Sequence, residues 1–388
     1  MKYYIIAGEA SGDLHGSNLI KELHKLDTAA DIRCWGGDKM QAAGAKLVKH
    51  YSELAFMGFA EVLMNLTTIF RNLKFCKEDI LQYKPDVLVL VDYPGFNLRI
   101  AEWAKQHGFK IVFYISPQVW AWKASRVKKM KLYIDKMLVI LPFEKEYYKT
   151  KWNWDVEYVG HPLVQVVETF TVSGLSFNVN SQTQNEKQQT INDKPETIND
   201  KRVIALLPGS RKQEIQKKLP IMLEVSKKFP SYQFIVAQAP SLEDSFYSAM
   251  LDAYSNVSFV KNKTYELLMQ SSAALVTSGT ATLETALFGV PEVVCYKGSP
   301  ISYQIAKRLV KIKFISLVNL IMDRMVVKEL IQNDLTLSNL ERELNKILTD
   351  NSAIEKMKTD YRELKDILSK GGNASAKAAK SIYSFITK

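Results

Sequence analysis

Short apolar runs alternate with helical patterns along most of this 388-residue chain, and each run ends in a loop of small or charged residues. Tyr3–Ala7, Asp86–Asp92, Lys110–Ser116, Lys136–Leu141 and Val156–Val159 read as buried strands. Segments such as Ser17–Leu26 and Leu98–His107 between them carry helical periodicity. That alternation predicts an α/β chain whose parallel sheets carry helices on both faces. A second alternating unit has strand candidates at Arg202–Leu207, Gln233–Ala237, Val257–Val260, Ala273–Thr277 and Glu292–Tyr296, and from about Leu337 the pattern is helical and charged. Between the units, Thr171–Lys201 is rich in Gln, Asn, Ser and Thr and nearly repeats itself, as Thr190–Lys194 and Thr197–Lys201. Such a stretch cannot bury enough surface to order itself, and is expected to be a linker or disordered insertion. The expected domains are 1–170, completed by a C-terminal helix at about 366–388, and 202–365, as two Rossmann-like domains across a cleft.

Ligands of open parallel sheets bind beyond the carboxyl ends of the strands, so the loops there hold the chemistry. Gly8-Glu9-Ala10-Ser11-Gly12-Asp13 follows the first strand. Its glycines permit a tight turn into a helix whose free N–H groups suit an anion or a hydroxyl. It equally reads as a plain turn capped by Ser11 or Asp13. Asp92, at the end of an apolar run before Tyr93-Pro94-Gly95-Phe96-Asn97, is placed to act as a general base or, more simply, to cap the next helix. Trp120 and Trp122 offer a wall for a sugar or acyl chain, or a packed corner. In the second unit, Gly209-Ser210-Arg211 has the makings of a phosphate site, and Ser278-Gly279-Thr280 those of a diphosphate site. Glu284, a turn further on, suits ribose hydroxyls, although a capping box also places a glutamate near a helix start.

Composition narrows the partners. Lys and Arg total 52 against 41 Asp and Glu, a formal charge of +11, which favours an anionic ligand, nucleic acid or an anionic membrane. Cys34, Cys76 and Cys295 are odd in number and widely spaced, which argues for a reducing compartment and against a zinc site. The apolar run at the start is too short for a signal peptide, and no stretch reaches the roughly 18–20 apolar residues of a spanning helix. No Asp-x-Asp occurs, no histidine pair has metal-ligand spacing, and no nucleophile elbow appears. Phe56–Phe75 is more apolar than one core stripe needs: Phe59, Val62, Leu63, Leu66, Phe70 and Leu73 form the stripe, with Phe56, Met57, Met64 and Ile69 largely outside it. The surplus fits shallow membrane insertion or acyl-chain binding, and also a helix buried on two sides.

Taken in order, the loop motifs resemble lipid-A-disaccharide synthase, a GT-B glycosyltransferase family of Gram-negative bacteria. The carriers are Gly8–Asp13, Asp92-x-Pro94-x-Phe96-Asn97, Ser116-Pro117-x-Val119-Trp120-Ala121-Trp122, Leu141-Pro142-Phe143-Glu144, Gly160-His161-Pro162, Leu207–Arg211, Ser278–Glu284, Asn319-Leu320 and Glu329-Leu330-x-Gln332. Departures are the Thr171–Lys201 insertion, Tyr93 and Gly95 in the aspartate motif, and Val318 before Asn319. The resemblance implies transfer of a diacylated glucosamine from UDP to the 6-hydroxyl of a diacylated glucosamine 1-phosphate, with inversion. It implies Asp92 as base with Glu9 nearby, and Ser210, Arg211, Ser278, Thr280 and Glu284 around UDP. Asn319 and Gln332 match polar site positions, and Ser11, Asn97 and Thr282 are further candidate substrate contacts inside the motifs. No metal or other cofactor is expected. The expected setting is cytoplasmic, peripheral on the inner membrane, with no nucleic-acid partner and a homodimer left open. Another UDP-sugar GT-B enzyme, such as an epimerase or a transferase with a soluble acceptor, would share the second-unit loops but not the whole first-unit set. A nucleic-acid binder fits the lysine-rich helices but not the acids at Gly8–Asp13 and Asp92.

Overall fold

The computed structural model describes residues 1–53, 66–171, 202–240, 242–299, 303 and 312–388. Most of the Thr171–Lys201 segment lies outside the described residues, as do Phe56, Met57, Phe59, Val62, Leu63 and Met64. The chain divides into two compact units, Met1–Pro162 with Leu368–Lys388, and Leu163–Ile367.

In the first unit, seven parallel strands run in the order β3-β2-β1-β4-β5-β6-β7. They are β1 (Lys2–Ala7), β2 (Asp31–Gly36), β3 (Lys46–His50), β4 (Val87–Val91), β5 (Ile111–Tyr114), β6 (Lys136–Val139) and β7 (Glu157–Tyr158). The helices are α1 (Ala10–Leu26), α2 (Asp38–Ala42), α3 (Leu66–Tyr83), α4 (Pro94–Gln106), α5 (Arg126–Tyr133) and α6 (Pro142–Trp152). The central strands β1 and β4 are buried on both faces, as an all-parallel sheet covered by helices requires. Their run Val87–Val91 is apolar without a break, while the outer strand β3 is only half buried and carries Lys46, Lys49 and His50. Charged, short edges of this kind discourage pairing with another chain.

The second unit holds six parallel strands in the order β10-β9-β8-β11-β12-β13. They are β8 (Val203–Leu207), β9 (Gln233–Gln238), β10 (Val257–Lys261), β11 (Ser271–Thr277), β12 (Glu292–Tyr296) and β13 (Lys328–Ile331). A helix over residues 162–171, here α7, opens this unit rather than closing the first. The reason is its packing: Phe170 meets the rings of Tyr265 and Phe288 edge-on, and Glu168 pairs with Lys365 at 3.2 Å. The remaining helices are α8 (Lys212–Ser226), α9 (Asp244–Leu251), α10 (Thr264–Gln270), α11 (Thr280–Leu287), α12 (Leu317–Met322), α13 (Leu337–Thr349), α14 (Asn351–Ser369) and α15 (Ala374–Ile386). The last, α15, returns to the first unit and packs on α1.

On α3 the core face differs from the expected stripe. Ile69 packs against the core and Leu73, Cys76 and Ile80 are buried, a helical spacing that leaves Phe70 64% exposed. No described helix is long and apolar enough to cross a membrane.

Candidate active site

In both sheets the strand order reverses at one place, between β1 and β4 and between β8 and β11. Connections leave such a point in opposite directions, so a crevice opens at the carboxyl ends of the two strands. The candidate loops sit at these two points. Ala7 pairs with Val91, so Glu9 and Asp92 leave the sheet side by side. Leu207 pairs with Val276, so Gly209–Arg211 and Ser278–Thr280 do the same in the second unit.

Asp92 is held in an unusual backbone. Its φ is 45° and that of Tyr93 is 49°, two successive left-handed residues, neither of them glycine. Each costs on the order of 1–3 kcal/mol unless its surroundings dictate it. Here they do. The Asp92 N–H donates to Tyr114 O at 3.0 Å, and the Asn97 N–H donates to Tyr93 O at 3.0 Å. The Asn97 Nδ2 donates to Asp92 O at 2.7 Å and also reaches Val91 O and Ile6 O. Asn97 is wholly buried and ties β1 to β4 beneath the turn. The Tyr93 ring lies over Gly8, where a Cβ would stand only 2.3 Å from Tyr93 Cδ1, and stacks on Phe96.

Burial pushes the Asp92 carboxyl up to about 7, and the Glu9 carboxylate adds to the rise, while the Tyr93 N–H opposes it. A carboxylate poised near neutrality can accept a proton and release it again. Glu9 is half-buried at the start of α1 and Ser11 is exposed on its first turn. Asp13 serves the scaffold: it is buried and accepts from the N–H groups of Gly37, Lys39 and Met40 at 2.8–3.2 Å, capping α2 from a distance.

A third carboxyl was not among the expected site residues. Glu144, buried at the start of α6, accepts from the Leu141 N–H at 2.9 Å and from the Trp120 indole N–H at 3.2 Å. Burial, and to a lesser degree Asp92, pushes it up to about 8. It thus fixes Trp120, which packs edge-on against Phe143, while Trp122 is exposed. In sequence, Glu144 two residues after Pro142 looks like an ordinary capping glutamate, and it is one as well. Burial also holds the imidazoles of His15 and His161 low, at about 4 and about 3, so both are neutral.

In the second unit, Ser210 and Arg211 are exposed, with Arg211 Nη1 3.4 Å from Glu214 Oε1. Gly209 has φ 123°, a conformation that a side chain would resist. Thr280 is exposed at the first position of α11, and Ser278 Oγ donates to Ile315 O at 2.8 Å. Thr282 is wholly buried and donates to Gly279 O, which shapes the turn. Glu284 Oε1 accepts from Tyr265 Oη at 2.9 Å, so Tyr265 orients it. Asn319 is also wholly buried: Oδ1 accepts from Val326 N and Val327 N, and Nδ2 donates to Val327 O and Glu329 Oε1. It is a staple between α12 and β13. Gln332, just past β13 with φ 54°, accepts from Gly298 N at 3.0 Å. Among the described residues no three His, Cys, Asp or Glu side chains gather as metal ligands.

The model of the lipid-A-disaccharide synthetase family matches residues 3–383. The lipid-A-disaccharide synthase of Geobacter metallireducens is 38% identical over 380 residues, 95% of this chain and 93% of that one. The Coxiella burnetii enzyme of the same name is 35% identical over 386 residues, 98% of each chain. Among solved structures, the UDP-GlcNAc 2-epimerase of Neisseria meningitidis superposes with a TM-score of 0.66 over the whole of both chains at 13% identity. The glycosyltransferase of kitacinnamycin gives 0.62 over 99% of each at 14% identity, and at such identities the likeness is one of fold. Two parallel α/β sheets, the ordered loop motifs and these matches place the chain in the lipid-A-disaccharide synthase family, hexosyltransferases of GT-B fold that act in lipid A biosynthesis.

Proposed function

We propose that the protein transfers 2,3-diacylglucosamine from UDP to the 6-hydroxyl of 2,3-diacylglucosamine 1-phosphate, with inversion. The observation that carries this reading is Asp92: a half-buried carboxyl at a strand reversal, held in a left-handed turn and raised to about 7. Asp92 takes the proton of the acceptor hydroxyl as its oxygen attacks the anomeric carbon. The bond from that carbon to the diphosphate breaks, the new β-1,6 bond forms, and UDP leaves. Glu9 keeps Asp92 basic by disfavouring a second negative charge beside it.

In this reading the second unit holds the donor. Arg211, Ser210 and the N-terminus of α11 with Thr280 meet the diphosphate, Ser278 and Gln332 line the same strand ends, and Glu284 meets the ribose. Helix N–H groups and Arg211 stabilise the leaving diphosphate without a metal ion. The acylated substrates call for a membrane face. The first unit offers exposed Phe70, Phe75, Leu81, Trp122 and Leu132 among Lys74, Lys77, Lys128, Lys129 and Lys131. A groove of about 560 Å³ between α3 and α4 includes Phe70, Leu81, Arg99 and Trp103. Apolar side chains ringed by lysines suit the anionic cytoplasmic face of the inner membrane. The deciding experiment is mass spectrometry of the products formed by the purified protein from both acylated sugars. A disaccharide 1-phosphate with a β-1,6 bond is expected; hydrolysis or epimerisation of the donor alone would refute the reading.

A further inference from the structure

Beneath the two phosphate-like loops lies a cation that neither the motifs nor the charge pattern singles out. Lys218, on the second turn of α8, is 3% exposed. Its Nζ donates to Thr277 Oγ1 at the end of β11 and lies 3.7 Å from Glu214 Oε2. It also comes within 3.6 Å of where a Cβ on Gly209 would stand, so it underlies the turn after β8. Glu214 is in turn shared: its other oxygen meets Arg211 at 3.4 Å. The four groups form one line across the strand reversal, Arg211 to Glu214 to Lys218 to Thr277. Its outer end is exposed and its inner end is buried.

A buried ammonium without a counter-ion is costly, so Lys218 holds the Glu214 carboxylate inward. Burial depresses the Lys218 ammonium from its ordinary range and Glu214 supports its charge. Glu214 is neutralised from below and need not hold Arg211. The guanidinium is then free to turn to an incoming anion. Without Lys218 the same carboxylate would face the anion uncompensated and would hold Arg211 as its only cation.

We propose that Lys218 is a positioning residue for the donor diphosphate, acting through Glu214 on Arg211 and through Thr277 on the Ser278–Thr280 turn. The proposal rests on the donor reading above. It gives a role to a buried charge on a helix whose other lysines face solvent.

The test compares UDP, by calorimetric titration, with uridine, by ligand-observed magnetic resonance, on the full chain. Lys218→Met should lose about tenfold or more in UDP affinity, a factor that corresponds to one lost favourable charge contact, and leave uridine binding unchanged. Adding Glu214→Gln to Lys218→Met should restore most of the loss, since the uncompensated carboxylate is gone. A general packing defect would weaken both ligands alike and would not be rescued. Equal loss of UDP and uridine, no loss of either, or no rescue would each overturn the proposal. Should Lys218→Met fail to fold, Thr277→Val reads the same line at nearly constant shape: UDP affinity should fall with uridine unchanged, and wild-type UDP affinity would overturn the idea. If the unsubstituted protein binds uridine but not UDP, or neither, the donor reading fails first and this proposal with it.

Discussion

The side-chain amide of Asn97 donates to the main-chain oxygen of Asp92 at 2.7 Å, so the residue that would be the base is held from beneath by one that is wholly buried. Replacing Asn97 with alanine removes the donor shared by Asp92, Val91 and Ile6. Stability should fall by about 1–3 kcal/mol, as expected for a buried hydrogen-bond set left unpaired. Turnover should fall as well, with the KM for either sugar little changed, because the carboxylate shifts while the binding surfaces stay. Urea unfolding and steady-state kinetics on the same preparation check both parts; an unchanged kcat with lowered stability would limit Asn97 to the scaffold.

Asp92→Asn should fold normally, bind UDP as before and lose about 10²–10⁴-fold in turnover. The pH profile carries a sign. Below about 7 the carboxyl holds its proton and cannot accept another, so the rate of the unsubstituted enzyme should rise with pH through that value. Residual turnover of Asp92→Asn should lack this limb. An identical acid limb in the variant would assign it to another group.

Glu292 yields a prediction about stability. It is wholly buried on β12, and neither carboxyl oxygen meets a hydrogen-bond donor among the described residues. Burial, with Glu329 second, raises it well above the usual carboxylate range. The folded state therefore keeps a proton that the unfolded chain releases above about 4.3, and stability falls as pH rises from there toward the folded value. Glu292→Gln removes this loss. Its advantage over the unsubstituted protein in urea unfolding should grow as pH rises above about 5, at up to about 1.4 kcal/mol per unit. A constant difference across that range would show that Glu292 is ionised in the fold.

Phe70 and Leu132 are 64% and 67% exposed, on α3 and α5. Changing both to serine should weaken binding to anionic liposomes by about tenfold while moving stability by less than about 0.5 kcal/mol. UDP binding, measured in parallel, should not change. Undiminished liposome binding would place the membrane contact elsewhere.

Turnover should persist in excess EDTA, because Arg211 and the α11 N-terminus supply the positive charge at the leaving group in the proposed mechanism. Loss of activity in EDTA that magnesium restores would contradict it.

Much of the fold was legible because parallel strands buried on both faces read as continuous apolar runs. Val87–Val91 and Val203–Leu207 are of that kind. The strands that sequence reasoning passed over are β2, β3 and β13, and each lacks such a run. Asp31–Gly36 mixes Asp, Arg and Trp, Lys46–His50 is a half-buried edge, and Lys328–Ile331 has two charges in four residues. The loops were legible as motifs, but the division of labour inside them was not. Asn97, Thr282 and Asn319 look in sequence like ligand-binding residues and are all wholly buried, with their donors spent on the backbone or a neighbouring carboxylate. An amide that grips a substrate and an amide that grips a turn are the same letters. Lys218 was hidden for the opposite reason: beside Lys217 and near Lys212 it reads as one more solvated charge, and only the register of α8 turns it inward.

The Tyr93 ring over Gly8 couples the loop after β4 to the loop after β1. With tyrosine in place, even a methyl group at position 8 would collide with an aromatic ring already wedged against Phe96. The three nearest atoms that methyl would meet, at 2.3–2.6 Å, all belong to the Tyr93 ring. What position 8 tolerates is therefore set by the side chain at position 93. A large ring at 93 thus constrains the first loop from outside that loop.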